Sequence, residues 1–431
     1  MSLWPNRSRN WRVHCDCRGF NLDRHVSEIN ERILEGDAAV FTADEIKDMV
    51  RDGDVPSADE VDVVTTATCG VMSGTAAVMH LRVSEPGSFR KAASVELNGI
   101  PAYPGPCPNE NLGSVDLFIY GTGHSREDPD YGGGFLFRDL LLGSEVEVRV
   151  TSVEGRVVES TVTMDDIETA RIVGTRMAFR NYTALVNPGE TPVKSIFNAF
   201  EMPENCGGLS FSGCGDINPL ENDPSMETVH QGTGVLLNGA RAIVLGEGTR
   251  SSPIKPNLML SGDLHDMKPR YIGGFRTAAG PEIFNTVAVP VPVTSERVLE
   301  NLMVLNSDIK LPVADVRDRS RVITEITYED VWSGDVRPVH HPERCTDCAV
   351  CLAARRCPTH AIDNGLDLDR CFGCGVCAWS CPSGAYEMDT GTVRIGELAV
   401  PIICRQSDRL RARELSLELK KLIENGDFLM G

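Results

Sequence analysis

The sequence predicts a large mixed α/β domain that carries a small, cysteine-rich α+β module inserted near its C-terminal end. Along about 300 residues, segments with helical periodicity alternate irregularly with short apolar runs that are typical of strands. Eight of the fifteen cysteines fall in two short runs between residues 345 and 381. Because a strand pattern and a helix pattern follow these runs, we expect the module to interrupt the α/β domain rather than to end the chain.

This organisation divides the chain into an N-terminal extension at 1–20, the α/β domain at 21–330, a linker at 331–343, the cysteine-rich module at 344–390 and a strand–helix tail at 391–431. A domain as long as the second segment is large for one hydrophobic core and can contain two subdomains. The tail is expected to dock back on the α/β domain.

Periodicity and capping signals mark the first elements of the α/β domain. Arg24 to Glu35 has the apolar spacing of a helix, and Thr42-Ala-Asp-Glu45 is typical of a capping box that opens a second helix. Val61 to Val64 is expected to be a short buried strand. It runs into a glycine-containing turn and then into Ser73 to Met79, which we predict to be a helix.

The later elements are predicted by the same patterns. They are a strand at Val115 to Tyr120, a helix at Phe135 to Leu142, a β-hairpin at Val146 to Thr163, strands at 235–245 and 286–293, a tail strand at Leu398 to Cys404 and a tail helix at Ser407 to Glu424. Glu154-Gly155 supplies the turn of the hairpin, and Asn425-Gly426 is expected to end the tail helix.

The two cysteine runs have the spacing of an iron–sulfur module. The second run is Cys-x2-Cys-x2-Cys-x3-Cys-Pro from Cys371 to Pro382, the pattern of bacterial-type [4Fe–4S] ferredoxins. The first run has the same plan, with five residues before its last cysteine and Pro358. In ferredoxins with two clusters, the cysteine before proline ligates the cluster of the other run.

We therefore predict two [4Fe–4S] clusters with crossed ligand sets, one held by Cys345, Cys348, Cys351 and Cys381, the other by Cys357, Cys371, Cys374 and Cys377. A pair of zinc sites is the alternative. Zinc needs four ligands per site, but it does not require the doubled, proline-terminated run. The pattern indicates a protein that transfers electrons or depends on their transfer.

Charge and composition exclude several classes of partner. The formal net charge is −20, from 62 acidic and 42 basic residues, which argues against nucleic acid and against an anionic membrane surface. We find no apolar stretch long enough to span a bilayer, and residues 1–20 lack the apolar core of a signal peptide. Free thiols and clusters of this type indicate the reducing cytoplasm, where disulfides are rare.

Four cysteines of the α/β domain are candidate reactive groups. Cys69 is expected where a buried strand meets a glycine-containing turn and a helix begins, a position that lowers a thiol pKa. A small buried cysteine with a packing role is the alternative. Cys107 lies in a proline-rich loop, and Cys206 and Cys214 are each followed by glycine, which allows close approach of a ligand.

These four thiols also form a candidate third metal site, since four is the number of ligands that such a site needs. The alternative is independent roles, because nothing in the sequence brings the four together. Arg250, in Gly246-Glu-Gly-Thr-Arg250, is a candidate group for binding a carboxylate or phosphate. Gly132 to Gly134, before a predicted helix, could hold an anion. A plain turn is the commoner explanation of either segment.

Several segments together resemble the homocysteine-biosynthesis family, also described as an L-aspartate semialdehyde sulfurtransferase family. They are Val61-Asp-Val-Val-Thr-Thr-Ala-Thr68, Arg180-Asn-Tyr-Thr-Ala-Leu-Val-Asn187, Ser212-Gly-Cys-Gly-Asp-Ile-Asn-Pro-Leu-Glu-Asn-Asp-Pro224, Gly246 to Arg250, Gly262-Asp-Leu-His-Asp-Met-Lys268 and Val289-Pro-Val-Pro-Val-Thr294. The resemblance covers about residues 21–320. With its fused two-cluster ferredoxin, the chain looks most similar to the methanogen subgroup called methanogenesis marker protein 16.

The resemblance implies a reaction in which aspartate semialdehyde takes up sulfur from sulfide or a persulfide and is reduced to homocysteine. A low-potential donor would supply electrons through the ferredoxin module. On this hypothesis Cys69 carries sulfur or attacks, Cys206 or Cys214 resolves the intermediate, and Arg250 holds the substrate carboxylate.

The chain departs from the family pattern at two positions. It has Ser73 where the family has a cysteine after methionine, and Thr151 to Arg156 lacks the cysteine of the family's Thr-Asp-Cys-Tyr-Pro segment. The second hypothesis is therefore a methanogenesis-associated electron-transfer or cofactor-maturation protein without sulfurtransferase activity.

Overall fold

The chain folds as a mixed α/β protein. The structure is a computed structural model that describes residues 24–105, 107–180, 182–332, 334–363 and 365–431. The predicted extension at 1–20 lies outside the described residues. The helices are α1 Val26–Glu35, α2 Ala43–Asp52, α3 Gly133–Leu141, α4 Pro219–Asn222, α5 Glu296–Leu302, α6 Leu352–Arg356, α7 Val376–Ser380 and α8 Arg409–Glu424.

The strands of the first half of the chain are β1 Val40–Thr42, β2 Val63–Val71, β3 Thr75–Arg82, β4 Ala92–Leu97, β5 Ile100–Pro104, β6 Ser114–Tyr120, β7 Val146–Ser152, β8 Val157–Val162, β9 Ile167–Met177, β10 Ala184–Val186 and β11 Leu209–Phe211. Those of the second half are β12 Gly234–Leu237, β13 Ala240–Glu247, β14 Leu258–Asp263, β15 Gly273–Thr277, β16 Gly280–Pro292, β17 Lys310–Asp315, β18 Val322–Thr327, β19 Val339–His340, β20 Tyr386–Glu387, β21 Thr392–Ile395 and β22 Leu398–Arg405.

Two large sheets organise the fold. The larger has fourteen strands in the order β1-β2-β16-β12-β13-β14-β9-β3-β6-β5-β4-β7-β8, with β15 paired to β16. The smaller has six strands in the order β18-β17-β10-β11-β22-β21. In the predicted cysteine-rich module, the short helices α6 and α7 contact each other, and β20 pairs antiparallel with β19 of the segment predicted as a linker.

Local signals set the ends of the first two helices as predicted. The Thr42 hydroxyl accepts a hydrogen bond from the Glu45 amide, and the Glu45 carboxylate accepts one from the Thr42 amide, which forms the capping box of α2. Gly36 and Gly53 end α1 and α2 with φ of 78° and 81°, a conformation that favours glycine.

The predicted helix at Ser73 to Met79 is wrong, because this segment forms strand β3. Its alanines and methionine have good helix propensity. In the fold, however, β3 pairs along its whole length with β6 on one side and β9 on the other. The C-terminal half of β3 alternates between buried residues and residues that are at least partly exposed. Pairing with two neighbouring strands outweighs the local propensity.

The tail returns to the α/β domain after the cysteine-rich module. Strand β22 pairs parallel with β11, and α8 packs against β2 and β16. The hydroxyls of Thr65 and Ser416 lie 2.9 Å apart in this buried contact, and Lys420 reaches the Glu45 carboxylate at 2.7 Å. The segment predicted as a linker also packs against the domain, since Trp332 Nε1 donates to the Gly213 carbonyl at 3.1 Å.

A fully buried lysine joins α2 to the helices α4 and α5. Lys47 Nζ donates to Asn222 Oδ1 at 2.7 Å and also to the Leu302 carbonyl. Burial lowers the pKa of Lys47 from 10.5 to about 7, although the carboxylates of Asp216 and Asp44 act in the opposite direction.

Replacing this lysine should change how stability depends on pH. Between pH 7 and 10.5 the unfolded chain binds a proton on Lys47 that the folded chain releases, so this residue makes stability rise with pH in that window. In Lys47→Met that contribution is lost. The melting temperature of the wild type, relative to that of the variant, should therefore increase from pH 7 upward.

The exposed helix residue Lys421 offers a matched control, since Lys421→Met removes the same charge from the surface. A constant difference in melting temperature between wild type and Lys47→Met across this pH range would show that Lys47 keeps an ordinary pKa in the fold.

Candidate active site and cysteine-lined cavity

Four cysteines of the module surround one small, closed cavity. Cys357, Cys371, Cys374 and Cys377 line it together with apolar groups that include Pro338, Ile362, Leu366 and Phe372. All four cysteines are buried. They are the same four that the crossed assignment places on one cluster.

The charges of these thiols act on one another, which places them close together. Burial, followed by the charges of Cys371 and Cys357, raises the pKa of Cys377 to about 12. The Cys374 thiol has its pKa raised by burial and then by Cys404, Cys357 and Cys377. The Cys357 sulfur accepts a hydrogen bond from the Ala361 amide at 3.2 Å, a contact that also stabilises a metal-bound thiolate.

Of the other four module cysteines, Cys345, Cys351 and Cys381 lie close enough to Tyr386 for their charges to act on its hydroxyl. Burial and then the charges of Cys351, Cys377, Cys345 and Cys381 raise the pKa of Tyr386 to about 12. Cys345, Cys348 and Cys351 are exposed, and Cys381 is half-buried. Burial alone would raise the pKa of Cys381, but hydrogen bonds from Ser383 and from the amides of residues 385 and 386 lower it overall.

The buried group has an arrangement that suits an iron–sulfur cluster better than a single metal ion. Within the described ranges, no three His, Cys, Asp or Glu side chains converge closely enough to hold one ion. A cubic cluster is wider than an ion, and its ligands surround a space instead of meeting at a point. Thiols around a closed apolar cavity, with an amide donor to sulfur, meet that requirement for the buried group.

Cys69 and Cys214 are a pair of buried cysteines in which the Cys214 thiol contacts the backbone of Cys69. The Cys69 amide donates to the Cys214 sulfur at 3.4 Å, and the Cys214 thiol lies 3.5 Å from the Cys69 carbonyl. Cys69 faces Thr286 across the β2–β16 ladder. The sequence placed Cys69 and Cys214 in separate loops, and the fold brings them together.

The physical basis predicted for a reactive Cys69 is wrong. Cys69 lies inside strand β2, no helix follows it, and the next element is strand β3. Burial, followed by the carboxylate of Asp408, raises the pKa of the Cys69 thiol well above its ordinary value. Burial likewise raises the pKa of Cys214 to about 11. Both groups are therefore neutral thiols at neutral pH.

The candidate third metal site does not form. Cys206 is half-buried, its amide donates to the Asn187 carbonyl at 2.8 Å, and its pKa is raised by burial and then by Asp315. Cys107 is exposed. No contact in the described part of the chain joins either residue to Cys69 or Cys214, so only two of the four cysteines come together.

Arg250 lies on an exposed turn, with a φ of 61°. Its charge acts on the neighbouring Arg176, whose pKa is lowered by burial and then by Arg250. Within the described ranges no contact links Arg250 to Cys69 or Cys214. The fold therefore gives no support to Arg250 as the partner of a substrate held at these thiols.

The first turn of α8 contacts the backbone of three cysteines, a link that the sequence analysis missed. Listed from the helix start, the contacts are the Asp408 amide to Cys69 O at 3.0 Å, Arg409 Nη1 to Cys214 O at 3.0 Å and Arg411 Nη1 to Cys371 O at 2.7 Å. One helix start thus joins the Cys69–Cys214 pair to the buried cysteine group of the module.

A buried ion cluster fixes this turn. The fully buried Asp408 carboxylate pairs with Arg337 at 2.6 Å and also with Arg411. Arg411 donates further to the carbonyls of Asp369 at 2.6 Å and Arg270 at 2.7 Å. Four charged residues within 405–411, in a tail that otherwise looks amphipathic, are the only sequence signal that could have indicated it.

The two positions where the family pattern has cysteines lie in turns between strands of the large sheet. Ser73 is exposed in the turn between β2 and β3, where its hydroxyl bonds the buried carboxyl of Glu282. Burial raises the pKa of Glu282. Thr151 to Arg156 spans the turn between β7 and β8. Neither position contributes a thiol.

Comparison with known proteins identifies the family. The model of the family described as "homocysteine biosynthesis enzyme, sulfur-incorporation" matches residues 38–430. The chain belongs to this family. The match extends past the segments at 21–320 that carried the resemblance, through the cysteine-rich module and into the tail, so β22 and α8 are part of the matched region.

Two relatives come from one organism, Methanocaldococcus jannaschii. An uncharacterised protein is 44% identical over 403 residues, which are 92% of this chain and 100% of the relative. An L-aspartate semialdehyde sulfurtransferase is 34% identical over 334 residues, which are 72% of this chain but only 63% of the relative. The chain therefore spans less than two thirds of the length of that sulfurtransferase.

The C-terminal region resembles a different protein, the pyruvate synthase subunit PorD of Thermotoga maritima. This subunit is 35% identical over 101 residues, which are 22% of this chain and 98% of the subunit. The likeness suggests iron–sulfur clusters in the module. No solved structure matches the chain significantly. In the described ranges, no helix combines the length and apolar character needed to cross a bilayer.

The burial of the thiol pair predicts its reactivity towards an alkylating reagent. Under native, anaerobic conditions iodoacetamide should modify the exposed Cys107 at the rate of a free thiol. It should modify Cys69 and Cys214 at least about 100-fold more slowly, because they are buried neutral thiols that react only when the core opens.

Peptide mass spectrometry after timed quenching measures these rates, and protein unfolded in denaturant gives the upper limit for each cysteine. Native labelling of Cys69 as fast as that of Cys107 would contradict its place inside strand β2.

Proposed function

We propose that this protein is an iron–sulfur enzyme that incorporates sulfur into L-aspartate semialdehyde and reduces the product to homocysteine. The family supports the sulfur-incorporation role, and the relative named L-aspartate semialdehyde sulfurtransferase supports the substrate. The likeness of the module to PorD supports electron transfer. Free thiols and clusters would suit a reducing cytoplasm.

The observation that carries the proposal is the contact of one helix turn with three cysteines. Through Asp408, Arg409 and Arg411, the start of α8 joins the backbones of Cys69 and Cys214 to that of Cys371. A thiol pair in the α/β domain and a cysteine-lined cavity in the module are thus joined by one helix turn, as an enzyme with an internal electron supply requires.

We assign two [4Fe–4S] clusters to the module with the crossed ligand sets. Cys357, Cys371, Cys374 and Cys377 would hold the cluster next to the α/β domain, and Cys345, Cys348, Cys351 and Cys381 the one near the surface. Such clusters supply single electrons at low potential. The exposed cysteine group is the side at which an external low-potential donor would dock.

The net reaction defines what the protein must supply. The aldehyde and hydrogen sulfide combine with loss of water to a thioaldehyde, and two electrons with two protons reduce this to the thiol of homocysteine. The low-potential donor provides both electrons.

Cys69 and Cys214 are suited to carry the sulfur. A persulfide donor would pass its outer sulfur to the Cys69 thiol and leave as a thiol. Attack of the Cys214 thiol on the resulting Cys69 persulfide would release hydrogen sulfide and leave a disulfide between the two residues. Two further electrons and two protons from the low-potential donor, beyond the two electrons that reduce the thioaldehyde, return this disulfide to two thiols. The Cys69 amide, which donates to the Cys214 sulfur at 3.4 Å, would stabilise Cys214 as it loses its proton. Cys206 has no part in this scheme.

Turnover tests the proposal directly. Anaerobic protein with both clusters, given aspartate semialdehyde, a persulfide as sulfur donor and a low-potential reductant, should form homocysteine, followed by mass spectrometry. Cys69→Ser should lower the rate by about two orders of magnitude or more, since it removes the thiol that carries the sulfur. The exposed Cys107→Ser is the matched control and should keep the wild-type rate.

Homocysteine formation that persists in both Cys69→Ser and Cys214→Ser would remove the thiol pair from the reaction. Iron analysis and visible absorption of each variant establish that the clusters are intact when the rates are compared.

Iron content tests the crossed ligand sets. The wild type should contain about eight irons per chain, and Cys371→Ser and Cys348→Ser should each keep about four. The two variants should lose different signals in electron paramagnetic resonance, because one cluster is buried against the α/β domain and the other lies near the surface. Equal loss of one and the same signal in both variants would contradict the assignment.

The presence of two family relatives in one organism favours a second candidate function, electron transfer or cofactor maturation. M. jannaschii contains both the sulfurtransferase and the uncharacterised relative, and this chain matches the whole of the latter. The chain also lacks cysteines at the two family positions. An electron-transfer or cofactor-maturation role, tied to methanogenesis, is consistent with these facts. Clusters that are reducible without any homocysteine formation would favour it over the sulfurtransferase role.

A further inference from the structure

A second cavity lies where α3 of the α/β domain meets the module. It has a volume of about 130 Å³, and its lining includes Tyr131, Arg138, Asp139, His360, Arg370 and Arg411. The rings of His360 and Phe135 stack over each other at this contact, with their centroids 4.7 Å apart and an angle of 11° between the planes. The cavity is therefore built from both parts of the chain.

The charge of this cavity is opposite to that of the protein as a whole. Three guanidinium groups line it against one carboxylate, in a chain of net charge −20. Arg411 is fully engaged with Asp408 and three backbone carbonyls. Arg138 donates to the Pro269 carbonyl at 3.2 Å and has no ion pair within the described ranges. Burial and then the charges of Arg370 and Arg411 lower the pKa of Arg138.

Arg370 is the second arginine able to meet a ligand. Its only ion pair in the described part of the chain is with Asp367 at 3.5 Å, and its side chain is 44% exposed. Asp139 is the negatively charged residue of the lining, and its Oδ2 accepts a hydrogen bond from the Tyr131 hydroxyl at 2.8 Å. Its other oxygen can accept from an ammonium group. Guanidinium groups with one carboxylate among them match the carboxylate and ammonium of an amino acid.

The size and the place of the cavity restrict the ligand further. A volume of 130 Å³ is well below the roughly 300–1,000 Å³ of pockets for drug-sized ligands, so it suits a small metabolite. Arg370 precedes Cys371, and His360 follows the Cys357-Pro358 step, so the cavity borders the buried cysteine group.

We propose that this cavity binds the amino-acid substrate, with its carboxylate held by Arg138 and Arg370 and its ammonium group by Asp139. The inference rests on the proposed function for the identity of the substrate, a four-carbon amino acid. It assigns the carboxylate-binding role to these two arginines in place of Arg250. It also puts the substrate at the boundary between the α/β domain and the module, which is the side from which electrons would arrive.

Binding of an unreactive analogue tests the site without turnover. L-Homoserine has the substrate's carbon skeleton and charges but an alcohol in place of the aldehyde, and 3-aminopropan-1-ol lacks its carboxylate. Isothermal titration of the anaerobic, cluster-loaded protein should show binding of L-homoserine and none of 3-aminopropan-1-ol. Arg138→Gln and Arg370→Gln should each weaken L-homoserine binding by about 10- to 100-fold, the effect of one charged hydrogen bond.

Arg355→Gln is the matched control, because Arg355 is an exposed arginine of the module outside the cavity lining. It should bind L-homoserine as the wild type does. Arg370 is exposed, so its variant should fold even if Arg138→Gln does not. Unchanged binding in the Arg370 variant, equal weakening in Arg355→Gln, or no binding of L-homoserine by the wild type would overturn the proposal.

The outcome is separable from that of the turnover assay. If the wild type forms homocysteine but the cavity variants bind L-homoserine normally, the proposed function is supported and the cavity is not the substrate site. L-Homoserine binding that is lost in both cavity variants, in a protein that forms no homocysteine, would establish the site as an amino-acid site and remove the sulfurtransferase reaction.

Discussion

The arrangement of the whole chain depends on one buried carboxylate. Asp408 caps α8, pairs with Arg337 from the segment before the cysteine-rich module and with Arg411 from α8, and its amide bonds Cys69 in β2. Removing one partner of a buried ion pair leaves an uncompensated charge, at a typical cost of about 3–5 kcal/mol. Asp408 therefore fixes the entry of the module, the start of the tail helix and the end of strand β2 relative to one another.

This constraint gives the two cysteine groups of the module different environments. The group around Cys371 lies against α8 and the α/β domain, with the Phe372 ring between those of Phe275 and Phe284 at 5.2 and 5.0 Å. The group around Cys348 has three exposed cysteines. In the proposed function this difference gives electron transfer a direction, because a partner can reach only the exposed group while the buried group lies beside the thiol pair.

The sequence predicted those turns and helix ends that depend on only a few neighbouring residues. The capping box at Thr42, the hairpin around Gly155 and the end of α8 at Asn425 follow from turn and capping preferences that act within a few residues. The cysteine spacing likewise predicted which four thiols share a cavity. Strand β3 was missed because its pairing partners β6 and β9 lie about 40 to 90 residues further along the chain.

The candidate site was harder to predict for the same reason. Cys69 and Cys214 are 145 residues apart, and only the fold makes them neighbours. Asp408 and Arg411 appear in the sequence as ordinary polar residues at the start of a helix. Their importance comes from burial, which no pattern of apolar residues in the tail could reveal. Arg250 stood out because it follows glycines, yet that spacing describes an exposed turn.

Arg411 connects the proposed substrate cavity to the buried thiols by electrostatics alone. Its guanidinium group lines the cavity, and its charge lowers the pKa of the Cys69 thiol while that of Asp408 raises it. An anionic group bound in the cavity would oppose the influence of Arg411 and make ionisation of Cys69 still less favourable. By linkage, ionisation of Cys69 would weaken the binding of that anion to the same extent. A bound anion and a neutral Cys69 thiol are thus compatible, which is the state of Cys69 before it takes up sulfur.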